Sequence, residues 1–167
     1  MATLKTDDEF KNLIPPLSPD EYRQLEENII SDGCRDALVV WKGTVIDGHN
    51  RYEICQKHSI PFQTREKHFD SRDDAIQWII LNQFGRRNLS AGERSILALR
   101  LEPILSAKAK ERMLSGKKID PVPKSAQGVQ RGKVRNQVAK LAGVGHTTIQ
   151  ETKQILEHWH SGAGRAD

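Results

Sequence analysis

Apolar residues in the first third of the chain alternate between helical and extended spacing. The segment Ser18–Glu21 has the Ser-x-x-Glu pattern of a capping box with proline in the first turn, and Gly33 is placed to end that helix. Residues 37–41 form an apolar run rich in β-branched side chains, and a Lys-Gly turn separates them from residues 44–46. This pattern predicts a β-hairpin, which the Asp-Gly pair at 47–48 ends.

The segments that follow are predicted to be mostly helical. Residues 51–57 have a helical pattern, and after an extended stretch Ser71 is placed to cap a second helix with isoleucines on one face. A further capping box begins at Ser90. Because proline lacks the amide hydrogen of a helix interior, Pro103 is predicted to interrupt this helix, with another helix over 104–114.

The pattern from residue 135 onward is typical of a helix-turn-helix unit. Val138 and Ala142 give the first helix a buried face, and Gly143 stands at the turn, where a positive φ is needed. Ile149 is predicted to face inward from the second helix. The same pattern is compatible with a plain αα-hairpin packed on a core, in which Gly143 is a simple helix stop.

The second helix of this unit is predicted to present its N-terminal, outward side to DNA. Ile155 and Leu156 are expected to extend the inward face instead. In a helix-turn-helix unit the outward residues reach base edges in the major groove, and basic residues nearby contact phosphates. The predicted base-contacting residues are Gly145, His146, Thr147, Thr148 and Gln150. The predicted phosphate-contacting residues are Lys133, Arg135 and Lys140.

Charge is segregated along the chain. Between residues 86 and 153 there are 15 lysines and arginines and 5 acidic residues, a net charge of +10, whereas the whole chain carries +4 and the remainder therefore −6. A basic half of this kind is expected of a nucleic-acid binder, because neutralising phosphates releases counterions. Charge alone is weak evidence, since many solvated helices are basic.

Composition points to a cytoplasmic protein with no membrane partner. Apolar residues make up 37% of the chain, but none of the apolar runs approaches the ~20 residues that cross a bilayer. The N-terminus lacks the basic and apolar regions of a signal peptide. Cys34 and Cys55 are the two cysteines, too few for a disulfide framework. Cys55 is expected to be buried packing.

Residues 46–52 place a strand end, a glycine turn and a helix start next to each other. Free backbone amides at such a junction, the helix dipole and the guanidinium of Arg51 suit an anionic phosphate. The pattern is common in proteins, and taken alone it is better explained by a structural capping role.

Three motifs, in order, resemble the ParB N-terminal/sulfiredoxin superfamily followed by a ParB-type helix-turn-helix. Residues 48–51, Gly-His-Asn-Arg, fall at the superfamily's phosphate motif, and residues 33–37 resemble the ParB segment that reads the nucleotide. Residues 82–86 resemble the Glu-Asn-x-x-Arg motif. The resemblance implies CTP or ATP/ADP with Mg²⁺ as cofactors, although no metal ligands are assigned. The implied nucleotide-binding residues are Gly33, Arg35, Asp36, Gly48, His49, Asn50, Arg51, Asn82, Gln83 and Arg86.

The resemblance also implies the organisation of the chain. We expect an α+β fold: a ParB/Srx-like small mixed sheet with helices over residues 1–87, connecting helices over 88–115, a basic flexible linker over 116–132 and the helix-turn-helix over 133–160. Proteins of this kind are found on phages, plasmids and integrated elements. The expected partners are double-stranded DNA and a nucleotide, with a homodimer left open, and the expected location is the cytoplasm, on the nucleoid or a plasmid.

Two functional classes follow. The first is a DNA-binding ParB-like protein of plasmid or chromosome partition or of transcriptional regulation, with a nucleotide-binding N-terminal domain. The alternative is a small nucleotide-dependent enzyme of the same superfamily, a kinase, CTPase or ATPase, in which Asp47 and His49 are catalytic. His49 occupies the position of the sulfiredoxin catalytic cysteine, so sulfinic acid reduction is excluded.

Overall fold

The computed structural model describes residues 3–85, 89–114 and 131–162, and side chains over 3–85, 89–111 and 134–159. The chain divides into two compact units, Met1–Ile79 and Ile80–Asp167. The division falls inside a helix, upstream of the boundary expected at residue 87. The linker expected over 116–132 lies outside the described residues, except for its last two positions, which are helical.

The first unit combines helices with a three-stranded sheet, as an α+β fold requires. Its elements are α1 (Asp8–Asn12), α2 (Pro19–Asp32), β1 (Leu38–Trp41), β2 (Thr44–Asp47), α3 (His49–His58), β3 (Thr64–Glu66) and α4 (Arg72–Phe84), the last of which continues into the second unit. The strand order is β2-β1-β3. β1 pairs antiparallel with β2, which confirms the predicted hairpin, and parallel with β3.

Local capping explains where these helices begin. The Ser18 hydroxyl accepts from the Glu21 amide at 3.2 Å and the Glu21 carboxylate accepts from the Ser18 amide at 2.8 Å, so the predicted capping box is present. Gly33, at φ +78°, follows the last residue of α2. The sequence pattern missed α1, in which the Asp7 carboxylate accepts from the amides of Glu9 and Phe10.

Two clusters of buried side chains hold the sheet and α3 together. Leu38, Val40 and Val45 of the hairpin pack with Tyr52 of α3, whose hydroxyl bonds to the backbone of Leu4 at 3.0 Å. A second cluster, Ile29, Ile54 and Cys55, joins α2 to α3, with Cys34 packed against it. Burying each large aliphatic side chain contributes about 1.5–3 kcal/mol. Helix α3 is therefore fixed on both sides.

The second unit contains three helices in its described part. These are α5 (Ala91–Leu114), α6 (Arg131–Ala142) and α7 (His146–Gly162), and α5 packs against both others. The predicted interruption at Pro103 is wrong, because α5 continues through it. Leu97, Leu101 and Leu105 are buried on both sides of Pro103, and this continuous apolar face offsets the cost of the missing hydrogen bond.

A three-residue turn joins α6 to α7. Gly143 has a φ of +65°, as predicted, and the Val144 amide donates to the Ala139 carbonyl at 3.2 Å. Ile149 is buried as predicted, but Ile155 is 59% exposed, so its expected place on the inward face is wrong. Six residues rotate a helix by roughly 240°, which carries Ile155 away from the face of Ile149. Leu156 is half-buried.

None of the helices in the described part of the chain has the length and apolar character needed to cross a bilayer.

Candidate functional site

A pocket of about 280 Å³ opens in the first unit where α2 ends and α3 begins. It brings together four of the residues that sequence reasoning assigned to the nucleotide: Gly33, Arg35, Asp36 and Arg51. Its remaining lining residues are Leu25, Asn28, Ile29, Asp32 and Cys34. The walls therefore include two guanidinium groups and two carboxylates, so their charges balance.

Arg51 is the more buried of the two cations that line this pocket, and it contacts acidic and carbonyl oxygens. Its Nη1 donates to the Asp36 carbonyl oxygen at 3.0 Å, and its Nη2 lies 3.3 Å from Oδ2 of Asp47. Its side chain is only 19% exposed. Arg35 is more open, at 75% exposure, and pairs with Asp32. A ligand phosphate would have to share these guanidinium groups with the carboxylates.

Gly48 makes the close packing around Arg51 sterically feasible. It is the residue before α3 and has a left-handed conformation with φ +95°. A Cβ at this position would lie 2.7 Å from Cδ2 of Leu38 and 3.0 Å from Nη2 of Arg51. Only glycine has both the backbone freedom and the missing side chain that this junction requires. The first turn of α3 has no side-chain cap.

The two residues predicted to be catalytic lie beside this pocket without lining it. Asp47 is buried and paired with Arg51. His49 is 4% exposed, and neither ring nitrogen has a hydrogen-bond partner among the described residues. Burial lowers the pKa of His49, and the nearby Asp47 carboxylate opposes that effect only in part. A buried neutral imidazole of this kind is poorly placed to exchange protons with a ligand.

The depressed pKa of His49 predicts that the fold weakens in mild acid. Because the folded protein disfavours imidazolium, stability is fully present above the unfolded pKa of about 6.5 and is lost as the pH falls towards the folded pKa. We expect His49→Leu to flatten this part of the stability profile, measured by urea unfolding between pH 4.5 and 8. His146→Gln, at an exposed histidine, is the control; an unchanged slope in His49→Leu would contradict the assignment.

Most residues predicted to contact DNA are exposed around the turn between α6 and α7. Gly145, His146, Thr147 and Gln150 are exposed and Thr148 is half-buried. His146, Gln150 and Arg135 line one small crevice. Arg135 is 45% exposed, and its Nε lies 3.1 Å from Oε1 of Glu102. Lys140 is exposed near the end of α6, and the side chain of Lys133 lies outside the described residues.

The fold resembles solved structures of pNOB8-like ParB N-domains. A structure of a pNOB8-like ParB N-domain in its C2221 form superposes with a TM-score of 0.62 at 19% identity, covering 89% of this chain and 64% of that one. Another pNOB8-like ParB N-domain structure gives 0.57 at 21% identity, with coverage of 89% and 59%. The fold is that of a ParB N-domain. The chain spans about three fifths of the length of these relatives, and neither family models nor curated proteins match it.

The third segment that the sequence assigned to a nucleotide, residues 82–86, lies in the second unit. Gln83 is buried, and neither its amide nitrogen nor its amide oxygen has a hydrogen-bond partner among the described residues. Asn82 is exposed, and Arg86 lies outside the described residues. Asn50, in the first turn of α3, is half-buried and does not line the pocket.

Magnesium, which the resemblance implies, has no complete set of protein ligands among the described residues. The described residues include no group of three histidine, cysteine or acidic side chains that could hold a metal ion. Asp47, the buried carboxylate next to the pocket, is already paired with Arg51. Magnesium is usually held by one or two carboxylates together with substrate phosphates.

Sequence reasoning missed Arg94, which organises the second unit of this ParB N-domain-like chain. Its Nη1 donates to the carbonyl oxygens of Phe84 and Ala142, both at 3.2 Å, and its Nε donates to that of Leu89 at 3.3 Å. Arg94 thus caps the C-terminal ends of α4 and α6 together. Its place in the second turn of an amphipathic helix gave no signal of this role.

Proposed function

We propose that this chain is a ParB-like DNA-binding protein of plasmid or chromosome partition or of transcriptional regulation, acting on nucleoid or plasmid DNA in the cytoplasm. The observation that carries the proposal is the exposed, polar start of α7. His146, Thr147 and Gln150 are exposed there, directly after a tight turn from a basic helix. Exposed polar side chains at the start of the second helix are those that reach base edges in a helix-turn-helix complex.

Electrostatics around the turn support duplex DNA as the ligand. Neither α6 nor α7 has an acidic residue in its first turn, so the helix dipoles are free to favour phosphate. Lys140 is exposed and Arg135 is half-exposed. The Glu102 carboxylate that pairs with Arg135 would be replaced by a phosphate on binding, which keeps the guanidinium paired in both states.

The pocket of the first unit supports a nucleotide as a second ligand, bound through a phosphate. Arg35 and Arg51 line it together, and Arg51 is planar, permanently charged and suited to bidentate phosphate contact. Arg51 belongs to the first turn of α3, which has no side-chain cap, so backbone amides of this turn are further candidate donors to a phosphate. CTP and ATP or ADP share this phosphate chemistry, so the pocket gives no preference between them.

The enzymatic alternative has less support. A general acid or base must come within hydrogen-bond reach of its substrate, directly or through one water molecule. His49 is buried at 4% exposure, and Asp47 is held by Arg51. A structural role next to the pocket therefore explains both side chains better than a catalytic one.

A duplex enriched from a random library tests the DNA half of the proposal. We expect Thr147→Ala/Gln150→Ala to lower the affinity for this duplex to that for a scrambled duplex, since each base contact is worth about 1–3 kcal/mol. Lys140→Ala should lower the affinity for both duplexes. It should also reduce by about 1 the slope of the logarithm of the binding constant against the logarithm of the salt concentration. Lys5→Ala, at an exposed lysine of the first unit, is the control. Binding that does not change between low and moderate salt would overturn the proposal.

Equilibrium titration with CTP and with ATP, with and without the enriched duplex, tests the nucleotide half. Arg51→Gln should abolish binding while Arg51→Lys retains part of it, because lysine keeps the charge but loses the planar donor fork. Unfolding midpoints of both variants separate lost binding from lost structure. If neither nucleotide binds under any of these conditions, the nucleotide half fails and the DNA half stands.

A further inference from the structure

The two cysteines of the chain lie next to each other, and one of them, Cys34, lines the pocket. Cys34 is a half-buried pocket residue, and Cys55 is fully buried in α3. Cys34 packs against the cluster formed by Ile29, Ile54 and Cys55. Burial, together with the neighbouring Cys34 thiol, raises the pKa of Cys55 to about 11. Both cysteines are free thiols in this structure.

A short chain of contacts joins these thiols to the cation of the pocket. The Cys34 thiol donates to the Asp36 carbonyl oxygen at 3.5 Å, and the same oxygen accepts from Nη1 of Arg51 at 3.0 Å. Arg51 and Cys55 are four residues apart in α3 and therefore lie on the same helix face. A change at the sulfur atoms can therefore alter the position of Arg51 in two ways: through the loop of residues 33–36 and through helix α3.

We propose that Cys34 and Cys55 form a reversible disulfide that fixes the pocket loop, residues 33–36, onto α3. The bond itself is independent of the function proposed above. Its effect on a bound nucleotide rests on that proposed function. Since the disulfide removes the Cys34 S–H donor, the Asp36 carbonyl oxygen would be left to Arg51.

The oxidant in this proposal is a low-molecular-weight disulfide. The thiolate of Cys34, the more accessible of the two, attacks one sulfur of the oxidant, forms a mixed disulfide and releases one thiolate. The thiolate of Cys55 then attacks the Cys34 sulfur and releases the second. Two protein thiols are oxidised, one small disulfide is reduced to two thiols, and the two protons pass to those products. The high pKa of Cys55 makes its step the slower one.

Oxidation of the full chain with glutathione disulfide tests the bond. After quenching with N-ethylmaleimide we expect a monomer about 2 Da lighter than the reduced chain, with one cross-linked peptide joining Cys34 to Cys55. The midpoint temperature of thermal unfolding should rise by roughly 5–10 °C, because a closed loop constrains the unfolded chain. Reduction of the disulfide should restore the original midpoint. Cys34→Ser and Cys55→Ser should show neither change, and each variant's unfolding midpoint checks its fold. A stable mixed disulfide, an intermolecular dimer or two alkylated thiols would overturn the proposal.

Titration of oxidised and reduced protein with CTP and with ATP separates this proposal from the proposed function. A several-fold difference in affinity that disappears in Cys55→Ser supports regulation of the pocket. Equal affinities in both redox states would overturn the regulatory part while the disulfide stands. Absence of binding in both states would overturn the nucleotide half of the proposed function, and with it that regulation, but not the bond.

Discussion

Replacing Gly48 with alanine is expected to lower the free energy of unfolding of the first unit by about 3 kcal/mol. Roughly 1–2 kcal/mol comes from placing an L-residue in the left-handed region, here at φ +95°. A further 1–3 kcal/mol comes from overpacking, because the new Cβ would lie 2.7 Å from the buried side chain of Leu38. Urea unfolding followed by tryptophan fluorescence measures the change.

Gly43→Ala is the matched control for this prediction. Gly43 also has a positive φ, +74°, but no atom lies within 4 Å of the position that a Cβ would take. We expect Gly43→Ala to lower the free energy of unfolding by about 1–2 kcal/mol, because only the cost of a positive φ applies there. Equal losses in the two variants would show that the contact with Leu38 is not what restricts position 48. In Gly48→Ala we also expect weaker nucleotide binding, since Arg51 must move.

Replacing Arg94 with methionine is expected to destabilise the second unit by about 3 kcal/mol. Methionine keeps the aliphatic stem but leaves the carbonyl oxygens of Phe84, Leu89 and Ala142 without this donor. A hydrogen bond to a charged group is worth about 1.5–3 kcal/mol, and partial access of water to these carbonyls reduces the total below the sum of three. Arg94→Lys should recover part of the loss.

Amide exchange locates this effect. Protection of the Val144 amide, which donates to the Ala139 carbonyl across the turn, should fall in Arg94→Met. Lys110→Met, at an exposed lysine of the same helix, should leave that protection and the unfolding midpoint nearly unchanged. A loss of stability that leaves Val144 as protected as in the original protein would show that Arg94 does not hold the turn.

Local patterns predicted much of the fold because the relevant interactions are close in sequence. The capping boxes at Ser18 and Ser90 form bonds over three residues, and both are present. The hairpin of β1 and β2 needs only a two-residue turn, and its pairing follows from the apolar runs on either side. Gly143 was identified as the turn residue because glycine adopts a positive φ without the cost of a Cβ.

The errors arise where tertiary packing decides the outcome. Pro103 breaks an isolated helix, but the buried face of α5 on both sides of it holds the helix together. Helix α1 is too short to show a period, and it is anchored by Arg72, which pairs with Asp7 at 2.9 Å and with Glu9 at 2.6 Å. Those contacts span more than sixty residues of sequence.

The sequence predicted several residues of the candidate site but not the contacts and the burial of these side chains. One pocket is lined by four of the residues that the resemblance assigns to a nucleotide: Gly33, Arg35, Asp36 and Arg51. The burial of His49 was not foreseen, because its position at a helix start suggested access to solvent. The role of Arg94 was also missed, since its carbonyl partners lie on three separate segments and a one-dimensional pattern does not contain them.

Both edges of the small sheet in the first unit have features that hinder pairing with a strand from another molecule. Lys5 bonds to Gly43 and Val45 at 2.9 Å along the outer side of β2. At the other side, β3 has three residues, all exposed, and two of them, Arg65 and Glu66, are charged. Short, charged edge strands resist the edge-to-edge pairing that leads to aggregation. Copies of this chain should therefore not pair through these edges, even at high local concentration.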